Sequence, residues 1–156
     1  MVEFIVDRTS QDVARWKTLR DKGWVKMNAA ERTEWLGEMK GRYAYTDMNR
    51  VERAVSALSA RLVALGYLPS PLATKTSWTR NDAPTSADMV RYLGNIAAIR
   101  NSIAVYPTTP AAPSVYAKLN YSRANDLEQI LLDVSQILDG LAQFRYYAGE
   151  IYAGEV

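Results

Sequence analysis

The chain contains no cysteine and no histidine. The first absence excludes disulfides, thiolate nucleophiles and zinc–thiolate centres. The second removes the commonest general base and the commonest metal-binding side chain. Net charge is also scarce: 19 basic residues oppose 17 acidic ones, leaving +2. The two signs are interleaved, whereas a nucleic-acid binder carries a basic excess or a one-sided basic stripe. No apolar run approaches the ~18 residues that span a bilayer, and no secretory signal pattern opens the chain. The expectation is therefore synthesis and folding in a cytoplasm, with no membrane contact. Glycine-rich phosphate loops, nucleophile elbows and metal-ligand spacings are missing too, so neither an enzyme nor a cofactor is expected.

What is present is a recurring helix-start signature, [Thr/Ser]-x-x-[Asp/Asn], at Thr9/Asp12, Thr46/Asn49, Thr85/Asp88 and Ser122/Asn125. Its fourth positions lie 37, 39 and 37 residues apart, a period characteristic of stacked structural units. Between the second and fourth copies the match continues through Tyr45/Tyr121, Val51/Leu127, Glu52/Glu128, Val55/Leu131, Leu58/Val134, Ser59/Ser135 and Leu62/Leu138. The copies at Thr9 and Thr85 share the cap only and are also read as ordinary N-caps.

Apolar periodicity predicts five helices. The first covers Ser10 to Lys22. The second opens at the capping-box spacing Asn28/Glu31 and runs to Lys40, with Gly37 inside it. The third, Asp47 to Leu65, repeats Met48, Val51, Val55, Leu58, Leu62 and Leu65 at the 3-4 spacing of helices that pack nearly antiparallel or supercoil, and Gly66 ends it. The fourth covers Ser86 to Ala104. The fifth, Arg123 to Phe144, carries the widest apolar stripe and is expected to be central. Pro107, Pro110 and Pro113 stiffen the preceding connector. Glu3–Val6 reads as extended, and the duplicated Tyr147–Ile151 and Tyr152–Val156, rich in Gly and Tyr, as an extended tail. The fold class is thus an all-α helical bundle of four to five helices with an internal repeat over residues 1–146, with short extended segments at both termini, the second of them spanning 147–156.

Three groups of residues are interface candidates. Asn49 and Arg50, with Asn125, offer directional hydrogen bonds for subunit contacts; the compatible alternative is that they cap their own helices and complement the helix dipole. Trp16 and Trp35 read as core, leaving Trp24 or Trp78, both in connectors, as an aromatic anchor. Tyr146, Tyr147 and Tyr152 suit strand addition to a neighbour. Arg42, Arg50, Arg53 and Arg61 read as a solvated or salt-bridged face rather than a phosphate site. The carboxylates Asp82, Asp88, Asp126, Glu128 and Asp133 fall in first turns or on polar faces, where the helix dipole accounts for them.

The segments Tyr45-Thr46-Asp47-Met48-Asn49-Arg50-Val51-Glu52, Trp78-Thr79-Arg80-Asn81-Asp82-Ala83-Pro84-Thr85 with Met89 to Ile96, and Asn120-Tyr121 with Ala124 to Glu128 resemble small tail-region proteins of prophages in Gram-positive bacteria. The resemblance covers nearly the whole chain, although Asp88-Met89-Val90-Arg91 departs from an Asn-Arg-x-Glu pattern. It implies a virion tail component near the tip, baseplate or fibre, a homo-oligomer whose partners are other virion tail proteins. From the residues alone, a small intracellular regulator that binds a host or phage protein and a nucleic-acid-binding helical module remain the alternatives.

Overall fold

The computed structural model describes residues 3–114 and 119–153, with side chains up to 144. It is all-helical: α1 (Ser10–Lys22), a 3-10 turn (Trp24–Lys26), α2 (Ala29–Leu36), α3 (Tyr45–Ala64), α4 (Ser86–Ser102) and α5 (Tyr121–Ala153). Among the described residues there is no β-strand.

The helix ends follow from local chemistry. Thr9 and Thr85 are true N-caps with reciprocal boxes: each hydroxyl accepts from the amide three residues on, and Asp12 or Asp88 returns a bond to the cap amide at 2.8 or 2.9 Å. Asn28 and Glu31 form the third such box. The other two copies of the signature do not cap. α3 begins at Ala44, whose amide donates to Asp47, and α5 is capped by Asn120, which accepts from Arg123. Thr46, Asn49, Ser122 and Asn125 therefore lie inside their helices. Gly37 ends α2 instead of sitting within it, because its extended backbone stops the helix while its amide still bonds Thr33 and Glu34. Gly66, at φ 80°, ends α3 as expected, with Tyr67 N–H reaching Leu62 O at 2.8 Å.

α3, α4 and α5 pack pairwise around one core that includes Val51, Val55, Leu58, Leu62, Tyr92, Ile96, Ile99, Leu127, Leu131, Val134 and Leu138. The stripes read from the sequence on these three helices are buried or half-buried, except at Phe144, the last residue of the α5 stripe, which is 71% exposed. Of the arrangements that the spacing allowed, α3 and α5 do not take the antiparallel one. Arg50 pairs with Glu128 and Arg61 with Asp139; both links join residues 78 apart, so α3 and α5 run parallel. Parallel helices need long returns, and two proline-bearing connectors supply them, one between α3 and α4 with Pro69, Pro71 and Pro84 and one between α4 and α5 with Pro107, Pro110 and Pro113. The second is fastened by Arg100 to the carbonyls of Thr109 and Pro110, and by Thr109 to Asp133 at 2.6 Å.

α1 and α2 form a hairpin of their own, with Leu19 and Met27 buried. Trp16 and Trp35 are only half-buried here and take no part in the main core, because the short hairpin has too little surface to enclose an indole. Gly41 docks the return from this hairpin: a Cβ there would lie 2.0 Å from the Asp12 carbonyl oxygen. The C-terminal segment also departs from expectation. α5 continues through Ala153, so 147–153 are helical rather than extended; residues 154–156 lie outside the described residues. Each added residue of an existing helix gains a hydrogen bond without a new nucleation cost, which offsets the ~1 kcal/mol of a single interior glycine.

Truncation of Leu131 or Leu58 to Ala is expected to cost about 2–5 kcal/mol in denaturant unfolding, as a cavity in a packed core. Gly41→Ala is expected to destabilise by more than about 1 kcal/mol, because backbone must move. A neutral Gly41→Ala would show that the hairpin return is not packed against α1.

Candidate functional site

The polar residues that the fold gathers most tightly belong to a clamp built twice. Asn49 is the fifth residue of α3 and Asn125 the fifth of α5. Asn49 accepts from the Trp78 amide and donates to the Trp78 carbonyl, both at 2.8 Å. Asn125 does the same for Arg8, at 3.0 and 2.9 Å. A carboxamide carries the same donor–acceptor pair as a peptide group, so each Asn pairs with one extended residue as a neighbouring strand would. In both cases the clamped residue is followed by Thr-x-x-Asp: Thr9/Asp12 after Arg8 and Thr79/Asp82 after Trp78.

One turn beyond each Asn lies a buried carboxylate, Glu52 at 1% and Glu128 at 0% exposure. Glu52 is gripped by both terminal nitrogens of Arg91 at 2.6 and 3.0 Å, and Arg91 also donates to the Ala73 carbonyl of the clamped connector. Glu128 is held by Arg8 at 2.7 Å, by Arg50 at 2.8 and 3.0 Å, and by the Ile5 amide at 2.8 Å. Asp47 completes this second cluster, accepting from Arg8 and Arg50. Two guanidiniums therefore face two carboxylates, and the cluster is neutral.

The electrostatics are those of structural pairs. For Arg50, burial opposes the charge, but hydrogen bonds and Coulomb attraction from Glu128 and Asp47 outweigh it and raise its pKa. The bidentate bond to Glu52 does the same for Arg91. Beside the cluster, the Tyr43 and Tyr92 hydroxyls share a hydrogen bond of 2.5 Å. Burial pushes both phenols above their ordinary range, and the nearby Glu128 carboxylate adds to it. Arg8 lies 5.5 Å from the Tyr43 ring centre.

The sequence-derived candidates separate accordingly. Asn49, Arg50 and Asn125 come together in the clamps, where their hydrogen bonds are spent within the chain; the capping alternative does not apply to either Asn, since both lie past the first turn. Trp78 is 3% exposed and sits in the core, under Lys75, which removes it from the surface. Trp24 is 46% exposed and stacks with Arg32. Tyr146, Tyr147 and Tyr152 lie on the α5 backbone, with side chains outside the described residues. Glu52 stood out in the sequence as the repeat partner of Glu128, whereas Arg8, Arg91 and Thr79 were not among the candidates. The Thr79/Asp82 spacing was the available signal for the Trp78 clamp, because it copies Thr9/Asp12.

A polar cleft of about 520 Å³ opens at the start of α3, lined in part by Tyr45, Asn49, Arg50 and Arg53. Of these, Asn49 and Arg50 are committed to the clamps. Among the described residues, no cluster of three or more His, Cys, Asp or Glu side chains suits a metal ion, and no helix is long and apolar enough to cross a membrane. No protein-family model, no curated protein and no solved structure matches the chain.

Glu128→Gln is expected to cost about 3–5 kcal/mol, because it leaves two buried guanidiniums against one carboxylate. Asn49→Ala should speed amide hydrogen exchange at Trp78 while sparing Arg8, and Asn125→Ala should do the reverse; uniform loss of protection would mean that the clamps are not local fasteners. Because the folded state raises the pKa of Tyr43 and Tyr92, their contribution is full below the ordinary phenol value of ~10 and is lost as pH rises beyond it. In an alkaline titration of phenolate absorbance, two of the ten tyrosines are expected to ionise only with unfolding, and Tyr43→Phe and Tyr92→Phe should each remove one from that late class.

Proposed function

We propose that the protein is a non-enzymatic structural or adaptor component of a phage tail or tail-like particle, acting through protein–protein contacts. The observation that carries this reading is the duplicated clamp. Its Asn, Glu and Arg side chains, the most chemically capable groups in the fold, hold one segment of the chain to another, and they do so in two copies related by an internal repeat. A repeat that fastens extended segments to helices is a building principle for assemblies, in which rigidity and repetition are the useful properties.

The resemblance of Tyr45–Glu52, Trp78–Thr85 and Asn120–Glu128 to tail-region proteins of prophages supports the same assignment. Those three segments are the clamp itself: the first and third contribute Asn49/Glu52 and Asn125/Glu128, and the second contributes the clamped Trp78 with its Thr79/Asp82 turn. The residues that carry the resemblance thus have one shared physical task. On this reading the protein resides in the virion after assembly, with other tail proteins and copies of itself as neighbours.

Mass spectrometry of purified phage-like particles, induced from the bacterium that encodes the chain, tests the proposal. The expected result is enrichment of the chain in tail-containing fractions at a fixed ratio to the tube protein. Recovery only in the particle-free lysate would exclude a virion role and favour the regulator.

A further inference from the structure

α1 and α2 leave the bundle as an arm. No apolar residue between Ser10 and Leu36 belongs to the main core or packs against it, and the 13 residues of α1 carry the far end of the hairpin about 20 Å from the clamp at Arg8. There Gly23, at φ 75°, turns the chain into the 3-10 turn Trp24–Lys26. Two apolar side chains stand next to each other on that turn. Val25, 86% exposed, is the most exposed large apolar residue described, and Trp24 is open over nearly half its surface.

The charge around the turn is one-sided. Between Trp16 and Arg32 the basic residues Lys17, Arg20, Lys22, Lys26 and Arg32 meet only Asp21 and Glu31, a net charge of +3. The whole chain carries +2, so the other 139 residues together stand at −1. Helix rise places Lys17 about 8 Å below the end of α1 and Arg32 about 5 Å below the start of α2, within a Debye length of ~8 Å at physiological salt. Arg20 and Lys22 have carboxylate partners in Asp21 and Glu31. Lys17 and Lys26 have none among the described residues, and their charge is open to a partner.

The turn is also prepared to leave water. The Gly23 carbonyl accepts from the Lys26 amide at 3.1 Å, and the Trp24 carbonyl from the Met27 amide at 3.3 Å. Arg32 reaches across from α2, with Nε on the Trp24 carbonyl at 3.3 Å, Nη2 on the Val25 carbonyl at 3.4 Å, and its guanidinium carbon 5.2 Å from the Trp24 ring centre. Unpaired carbonyls are costly in an apolar medium. All three at the apex are already spent within the chain.

We propose that this turn is a docking surface for an anionic lipid bilayer, into whose interfacial layer Trp24 and Val25 insert while the surrounding lysines and arginines lie against the headgroups. Tryptophan suits that layer because its ring is apolar with one polar edge, and each cation near an anionic leaflet adds to the attraction. The shape points the same way: the apex protrudes, and a deformable surface accepts it without a matching pocket. Nucleic acid fits less well, since Arg32 covers one face of the ring on which bases would stack, and an exposed valine gains nothing from phosphate. The expectation of no membrane contact rests on the lack of a spanning apolar run, which a tip that only touches the surface does not need. The inference stands on the hairpin alone and not on the tail assignment.

Flotation of the full chain with vesicles of phosphatidylglycerol and phosphatidylcholine in equal parts tests it. Half-saturation is expected at about 1–10 mM lipid, with binding about tenfold weaker or more on phosphatidylcholine alone and falling as salt is raised. Val25→Glu should weaken binding by more than about fivefold with the helical circular dichroism signal retained. Leu36→Glu, at the other end of α2, should leave it within about twofold. Bromine-labelled acyl chains should quench tryptophan fluorescence in the parent chain and not in Trp24→Phe. No binding at ~20 mM lipid, equal binding to both vesicle types, indifference to Val25→Glu, or quenching that survives Trp24→Phe each overturns the proposal. Binding to a DNA duplex in place of the vesicles overturns it as well and assigns the charge to nucleic acid.

Discussion

Two carboxylates with almost no access to water, Glu52 and Glu128, set the terms for the rest of the fold. A buried charge is tolerated only with opposite charge and hydrogen bonds around it. Each therefore has to recruit a guanidinium from another part of the chain. Glu52 draws in Arg91 and thereby places α4 on α3, with the Ala73 carbonyl held on the same arginine. Glu128 draws in Arg8 and Arg50, which brings the N-terminal segment and α3 onto α5. Hydrophobic burial supplies most of the stability of such a bundle, but it is indifferent to helix direction. The paired charges are not, and they are what fixes α3 and α5 parallel and in register.

The two clamps solve the same problem with different material. At α3 the clamped residue is Trp78, whose ring enters the core; at α5 it is Arg8, whose guanidinium neutralises the glutamate of the same clamp. The α4 segment has Asp88 and Arg91 where α3 has Asn49 and Glu52, and Asp88 makes no two-way pairing with an extended residue. Asp88 caps its helix, and Arg91 serves as counter-ion to Glu52. What looks like a degenerate copy of the repeat is the complementary half of a pair.

Helix positions and buried faces were legible in the sequence because they depend on local spacing. Leu58, Leu131 and their neighbours recur at 3-4 intervals whatever the topology, and Thr9/Asp12 and Thr85/Asp88 cap helices by contacts within one turn. The roles of Asn49 and Asn125 were not legible, since an Asn four residues into a helix looks like a displaced cap until the strand it holds is known. The same holds for Trp78: a tryptophan between prolines reads as exposed, and only the contact between its backbone and Asn49 carries it inward. The end of α5 was misread for a different reason. Glycine and tyrosine disfavour helix on average, but the penalty is small beside the cooperativity of a helix already nineteen residues long at Asp139.

The two clamps also differ in when they can close. Asn49 and Trp78 are 29 residues apart, whereas Asn125 and Arg8 are 117 apart. The longer loop costs about 1.2 kcal/mol more in closure entropy, and Asn125 leaves the ribosome some 47 residues after Trp78. At ~5–20 residues per second this is a delay of about 2–10 s. During that interval the α3 clamp can lock, while the N-terminal segment waits with Arg8 in water and its binding groove not yet made. Synthesis therefore imposes an order on two fasteners that look equivalent in the finished protein: the inner one sets early, and the outer one seals the chain last.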